Sequence, residues 1–218
     1  MANNVITIGR RGLLGVAIPA AVAAASWRTA RADSGADAAA VPIQRLDAAL
    51  LAAMKAGRGT AFSQRYASLQ PVIDQTFDLN AVLVESVGLA WAGIPSEQKA
   101  RLHAAFRRYT VASYAANFDN YTGQRFQIAP ALRNVGNGES VVSTEIIASD
   151  GTIHKLDYVM RNTASGWKAV DVLADGSISR VAVQRSDFRH LLNDGGTSAL
   201  VAGLQRKVAS LSGGSMQT

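Results

Sequence analysis

No cysteine occurs in the 218 residues. That absence removes a disulfide framework, a thiol nucleophile, a cysteine zinc site and a lipid-modified N-terminal cysteine together. Histidine is nearly as scarce. His103, His154 and His190 lie far apart, with no HExxH or other paired spacing suited to a metal. The GxSxG elbow, the P-loop and the GxGxxG fingerprint are missing as well. Gly136-Asn137-Gly138 lies between two strand-like runs and reads as a turn, not a phosphate cradle. Asp175-Gly176 is likewise a turn, and Asp171 reads as the anchor of a loop or helix end. No nucleophile, general base, metal site or cofactor motif emerges, so an enzyme is disfavoured.

Charge is thin at 17% of residues, and the formal net of +6 is unevenly placed. Arg10, Arg11, Arg28 and Arg31 fall in residues 1–32, which hold no acidic residue. Setting those four aside leaves 18 basic residues against 16 acidic, a net of +2. That balance lacks the electrostatic footprint of a nucleic-acid binder. At 48% hydrophobic residues, a packed core is expected over most of the chain.

Long apolar runs are absent too, with one short exception. Gly12–Ala25 is apolar, follows Arg10-Arg11, is interrupted by Pro19 and leads to Ala30-Arg31-Ala32. It falls short of the roughly 20 residues a spanning helix needs. A basic start, a short apolar stretch and small residues before a cut describe a secretory leader, here 1–32 with cleavage after Ala32. The arginine pair also resembles a twin-arginine signal, with Gly9 and Leu13 as departures, so either export route fits. Residues 33–41 read as an Ala-rich linker.

From Pro42 the pattern is helical. Pro42 suits a first turn, and Ile43, Leu46, Leu50 and Ala53 recur at helix spacing up to Gly57-Arg58-Gly59. A second stretch runs from Thr60 to Leu69, and Pro71 restarts a short one. Asp78 caps Leu79–Val87, and Ser96 caps a long helix to Phe118 whose buried face carries Leu102, Phe106, Tyr109, Ser113 and Ala116. The period then becomes alternating over Gln124–Ala129, Glu139–Ser149, Thr152–Asn162 and Trp167–Leu173. Asp150-Gly151 marks a two-residue hairpin and Ser165-Gly166 another turn. Leu156, Tyr158 and Met160 share one face. Helix returns with Ile178, Val181, Phe188, Leu191 and Leu192, stops at Gly195-Gly196, and resumes with Leu200, Val201, Leu204 and Val208. Ser212–Thr218 reads as a flexible tail. Helices, then a meander, then helices make a single α+β domain over 42–211.

Four stretches, in order, resemble the MlaC family of periplasmic lipid carriers, which includes the toluene-tolerance proteins and the hopanoid-associated HpnM branch. They are Phe77-Asp78-Leu79 leading to Val87-Gly88-Leu89-Ala90-Trp91; Phe106-Arg107-Arg108-Tyr109 with Tyr114-Ala115; Gly166–Val172, GWKAVDV; and Asp175–Ser179 leading to Arg185-Ser186-Asp187-Phe188. Gln184 stands where the phospholipid carriers commonly have Tyr, and Ser177–Val183 is closer to the HpnM branch. The resemblance implies a curved antiparallel sheet of about four strands, covered by the N- and C-terminal helices around an apolar pocket. It implies a periplasmic monomer that carries a phospholipid or a hopanoid between an outer-membrane lipoprotein complex and an inner-membrane ABC transporter complex.

On that reading Leu83, Val87, Phe106, Tyr109, Ile146, Tyr158, Met160 and Val172 are the expected pocket lining, each also explicable as ordinary core. The rival is an exported non-catalytic adaptor or scaffold with a filled core, binding a protein partner through its surface. A contiguous apolar cavity separates the two.

Overall fold

The apolar repeat around Ile43 begins earlier than Pro42 suggests. In the computed structural model, which describes residues 30–216, helix α1 spans Ala30–Ala56 with Pro42 inside it. Residues 33–41, read as a linker, are therefore its first turns. Alanine has the highest helix propensity, and Ala39 and Ala40 are small enough to be buried beside Ile43, Leu46 and Leu50. The leader itself lies outside the described residues, apart from its last three positions. The proposed cut after Ala32 falls in the first turn of α1.

Helix α2, Phe62–Thr76, also runs through a proline, Pro71, where the sequence reading placed a break. Leu69, Ile73 and Thr76 carry its buried stripe across that point. Helix α3 covers Leu79–Val87 as expected, with the Asp78 side chain accepting from the Ala81 N–H at 2.9 Å. A 3₁₀ turn, Gly88–Gly93, leads to α4, Ser96–Asn117. Pro95 is the N-cap of α4, so Ser96 is its first helical residue instead of its cap.

The sheet has six strands where the periodicity suggested four. They are β1 (Arg125–Ile128), β2 (Arg133–Gly136), β3 (Glu139–Ile147), β4 (Ile153–Thr163), β5 (Gly166–Ala174) and β6 (Ile178–Ser179). All pairings are antiparallel, in the order β1-β3-β4-β5-β6, with β2 beside β1 on the same edge of β3. The two strands missed are those without a pattern. Every residue of β2 is exposed, and β6 is two residues long. Ile178, read as helical, belongs to β6 and is 53% exposed.

One hairpin differs in detail from expectation, and one turn forms where it was expected. Between β3 and β4 the Ala148 N–H meets the Thr152 carbonyl and the Gly151 N–H meets the Ala148 carbonyl. The loop is thus three residues, Ser149-Asp150-Gly151, with Gly151 at positive φ. Between β2 and β3, Asn137 and Gly138 sit at φ 52 and 75, the left-handed pair that a two-residue primed turn requires. The register of β5 slips against β4, from Val159↔Asp171 to Met160↔Ala169, leaving Val170 as a bulge. The strict alternation expected for β5 ends there, and a bulge bends the sheet.

The chain closes with α5, Arg180–Leu211, which is non-helical at Gly195 and Gly196. The two halves fold back on each other. A Cβ at Gly203 would stand 2.9 Å from Leu191 Cδ1, and Lys207 pairs with Asp187 at 3.5 Å. Ser212–Met216 form hydrogen-bonded turns after α5, where a frayed tail was expected.

Gly196 has φ 65 and ψ −159, a region essentially restricted to glycine. Gly196→Ala is therefore expected to cost about 1–3 kcal/mol, read as a lowered thermal midpoint. An unchanged midpoint would show that the reversal can form without this backbone conformation.

Candidate functional site

The helices cover one sheet face, but they do not fill the space beneath them evenly. Around Met160, Ala169 and Val142 the layers interlock and all three residues are fully buried. Toward the β3–β4 hairpin they part, leaving a cavity of ≈ 390 Å³. That volume lies within the range of small-molecule sites, about 300–1,000 Å³.

Its walls follow from the elements already described. Ile146 of β3, His154 and Leu156 of β4, and Asp171 and Val172 of β5 form the sheet side. Leu79 and Val82 of α3 and Val181 and Gln184 of α5 close two flanks. One long face of α4 supplies the roof: Phe106, Tyr109, Thr110, Ser113, Tyr114 and Asn117, continued by Phe118. Phe77, Tyr114 and Phe118 make a run of aromatic contacts along it, with centroids 5.8 and 5.9 Å apart. Exposure grades from Phe106, Leu79 and Val82, which are buried, to Asn117, His154 and Arg180, which are exposed. The cavity is therefore greasy inside and polar at its rim.

Asp171 sets the position of one flank. Its carboxylate accepts from the Val172 N–H at 2.7 Å, the Val181 N–H at 3.1 Å and the Ser179 hydroxyl at 2.5 Å. It thus ties the start of α5 to β5, the anchoring role expected for it. Gln184, one turn further on, lines the cavity and accepts at 3.0 Å from the Ser86 hydroxyl of α3.

Behind the roof lies a buried polar cluster. The Tyr114 and Tyr158 hydroxyls hydrogen-bond, and burial pushes both phenols above their usual range. Asp47 of α1 acts on both electrostatically. It is 7% exposed, and neither carboxylate oxygen has a hydrogen-bond partner among the described residues. Burial raises its pKa from 3.8 to about 7.

Of the residues expected to line a pocket, Phe106, Tyr109, Ile146 and Val172 meet at this cavity. Leu83 and Val87 lie instead in the packed core, since α3 turns Leu79 and Val82 to the hollow. Tyr158 and Met160 are in the filled part of the sheet face, and Leu156, nearer the hairpin, reaches the cavity in their place. Among those missed were Phe77, Tyr114, Phe118, Arg180 and Gln184. A signal existed for the roof: Thr110 and Ser113 interrupt an otherwise apolar α4 face with small side chains, which leave volume a larger residue would fill.

A second hollow, ≈ 510 Å³, lies on the opposite sheet face among Arg133, Glu145, Lys155 and Asp157. Its lining is charged and unsuited to apolar matter.

Comparison with known proteins adds three findings. The MlaC protein family matches residues 44–206. A phospholipid-binding protein from Ralstonia solanacearum, solved in complex with a phospholipid, has a similar fold, with TM-score 0.69 at 21% identity. The likeness covers 79% of this chain and 98% of that one. No curated protein matches the sequence.

Asp47 has a consequence for stability. A carboxyl whose folded pKa lies above its unfolded value favours folding most when protonated. That contribution is complete below about pH 4 and is lost as pH rises through about 7. The thermal midpoint should therefore fall between pH 5 and pH 8, and Asp47→Asn should flatten that slope. A parallel slope in the variant would assign the pH dependence to other groups.

Proposed function

Because the chain belongs to the MlaC family, we propose that it is a periplasmic lipid carrier. In this reading it shelters a phospholipid's acyl tail in the cavity beneath α4 and shuttles it between outer- and inner-membrane systems. The observation that carries it is the ≈ 390 Å³ apolar cavity at the hairpin end of the sheet. A hydrocarbon tail in water is disfavoured by about 0.8 kcal/mol per CH₂, so even a partly sheltered chain strongly favours the bound state. The lining suits a flexible guest, with aliphatic and aromatic surfaces deep inside and polar groups at the rim where a headgroup meets water.

Phospholipid is preferred over hopanoid because the similar Ralstonia protein is a phospholipid-binding one. The periplasmic location rests on the leader-like residues 1–32. No helix among the described residues is long and apolar enough to cross a membrane. Exchange with an outer-membrane lipoprotein complex and an inner-membrane ABC transporter complex belongs to the same proposal, carried by the family. The adaptor alternative needs a filled core, which the hollow argues against.

Protein purified from periplasm without delipidation is expected to show bound lipid by native mass spectrometry. Ser113→Trp, on the roof and half-buried, should lower lipid occupancy several-fold with little change in thermal midpoint. Met160→Trp, in the filled core, should instead destabilise by about 1–3 kcal/mol through overpacking. Consistently lipid-free wild-type protein would sink the carrier reading.

A further inference from the structure

We propose that Arg180 selects the headgroup, holding a phosphate anion at the rim while an acyl chain occupies the cavity. This deepens the carrier reading and rests on it.

The argument starts from charge at the opening. Of the residues lining the cavity, Arg180 is the one permanent cation and Asp171 the one carboxylate. Asp171 forms no ion pair with Arg180 among the described residues. Its oxygens are taken by the Val172 and Val181 N–H groups and the Ser179 hydroxyl. No side-chain hydrogen bond or ion pair among the described residues engages the Arg180 guanidinium. Yet that guanidinium acts electrostatically on Tyr114, whose side chain forms part of the cavity wall. Its charge is therefore felt at the cavity wall, although the side chain itself is exposed at the rim. Asn117 and His154 share the rim and supply further polar partners.

An uncommitted guanidinium at the mouth of an apolar cavity suits one class of guest. Its planar fork matches phosphate oxygens bidentately, and such charge-assisted bonds are among the stronger hydrogen bonds. A neutral headgroup gains no comparable partner there. Arg180 is also fixed in place without being essential to packing. Asp171 and Ser179 hold the first turn of α5, while the Arg180 side chain is exposed.

The cavity size guides the choice of probe. At about 30 Å³ per water-sized group, a volume of ≈ 390 Å³ holds about thirteen such groups, the scale of one acyl chain. Tetradecyl phosphate and tetradecanol share that chain and differ only in the headgroup. Isothermal titration of delipidated full-length protein with each probe isolates the contribution of the phosphate. Wild type should bind the alkyl phosphate tighter than the alcohol, on the order of tenfold or more. In Arg180→Gln that ratio should fall toward one, and Arg180→Lys should keep part of it. The ratio is its own control for folding, because a collapsed cavity loses both probes together. Inorganic phosphate alone should give no saturable binding.

A ratio that persists in Arg180→Gln overturns the assignment and leaves the carrier reading standing. The same holds for a wild type indifferent to the phosphate group. Saturable inorganic phosphate binding abolished by Arg180→Gln would make the rim a free-phosphate site and overturn the lipid assignment. Failure of both chain-bearing probes to bind would overturn the carrier reading itself.

Discussion

An apolar hollow beside a close-packed core is not a resting arrangement for a protein. Atoms on its walls lack partners on one side and forfeit the dispersion contacts that their neighbours make. Side chains and helices drift into such a space unless something holds the walls apart. Here the holding is done by polar ties that fix whole elements. Asp171 binds the start of α5 to β5 through three donors. The Asp74 carboxylate pairs with both Nε and Nη2 of Arg107, tying α2 to α4. Ser86 and Gln184 link α3 to α5 at the flank. With these elements anchored, α4 spans the sheet like a roof beam, and the space under it stays open for a guest that restores the missing contacts.

Where the hollow sits also follows from the sheet. The bulge at Val170 breaks the register of β5 against β4 and bends the strands there. On one side of the bend, Met160 faces Ala169 across the ladder, and α1 and α2 close over a filled core. On the other side, Ile146, Leu156 and Val172 face α4 with small residues, Thr110 and Ser113, opposite them. A packed half lends rigidity to an open half. One sheet thereby carries a packed core at one end and the hollow at the other.

Much of this could be read from residues, and the failures have physical causes. Periodicity identified the α+β order and the long strands, because half-buried elements stamp their period on the sequence. It missed β2 and β6, which bury nothing and so carry no period. It began a helix at Pro42 and broke one at Pro71, because local propensity speaks against proline inside a helix while the apolar stripe continuing past each one outweighs it. The pocket lining was half legible for a related reason. Phe106, Tyr109, Ile146 and Val172 look the same in sequence as Leu83, Val87, Tyr158 and Met160. Only tertiary placement separates an apolar face against a hollow from an apolar face against other side chains. Tyr114, Arg180 and Gln184 were invisible as lining because a search for grease overlooks the polar groups that define a mouth.

The polar groups near the cavity carry the last step. Asp47, Tyr158 and Tyr114 form a buried series reaching from α1 to the cavity wall, and Arg180 acts on its outer member from the rim. Satisfied buried carboxylates are common in folded proteins, but Asp47 has no hydrogen-bond partner among the described residues and, with its pKa raised to about 7, is only partly ionised near neutral pH. Aliphatic residues at these positions would pack at lower electrostatic cost. That cost is borne behind the cavity wall, since of the three only Tyr114 lines the hollow. A carrier must release what it holds, and an interior optimised solely for hydrocarbon would bind too tightly to hand its cargo on. Binding strength drawn partly from a rim cation, where water and a competing partner can reach it, leaves the hydrocarbon contacts strong enough to shelter a tail and weak enough to let it go.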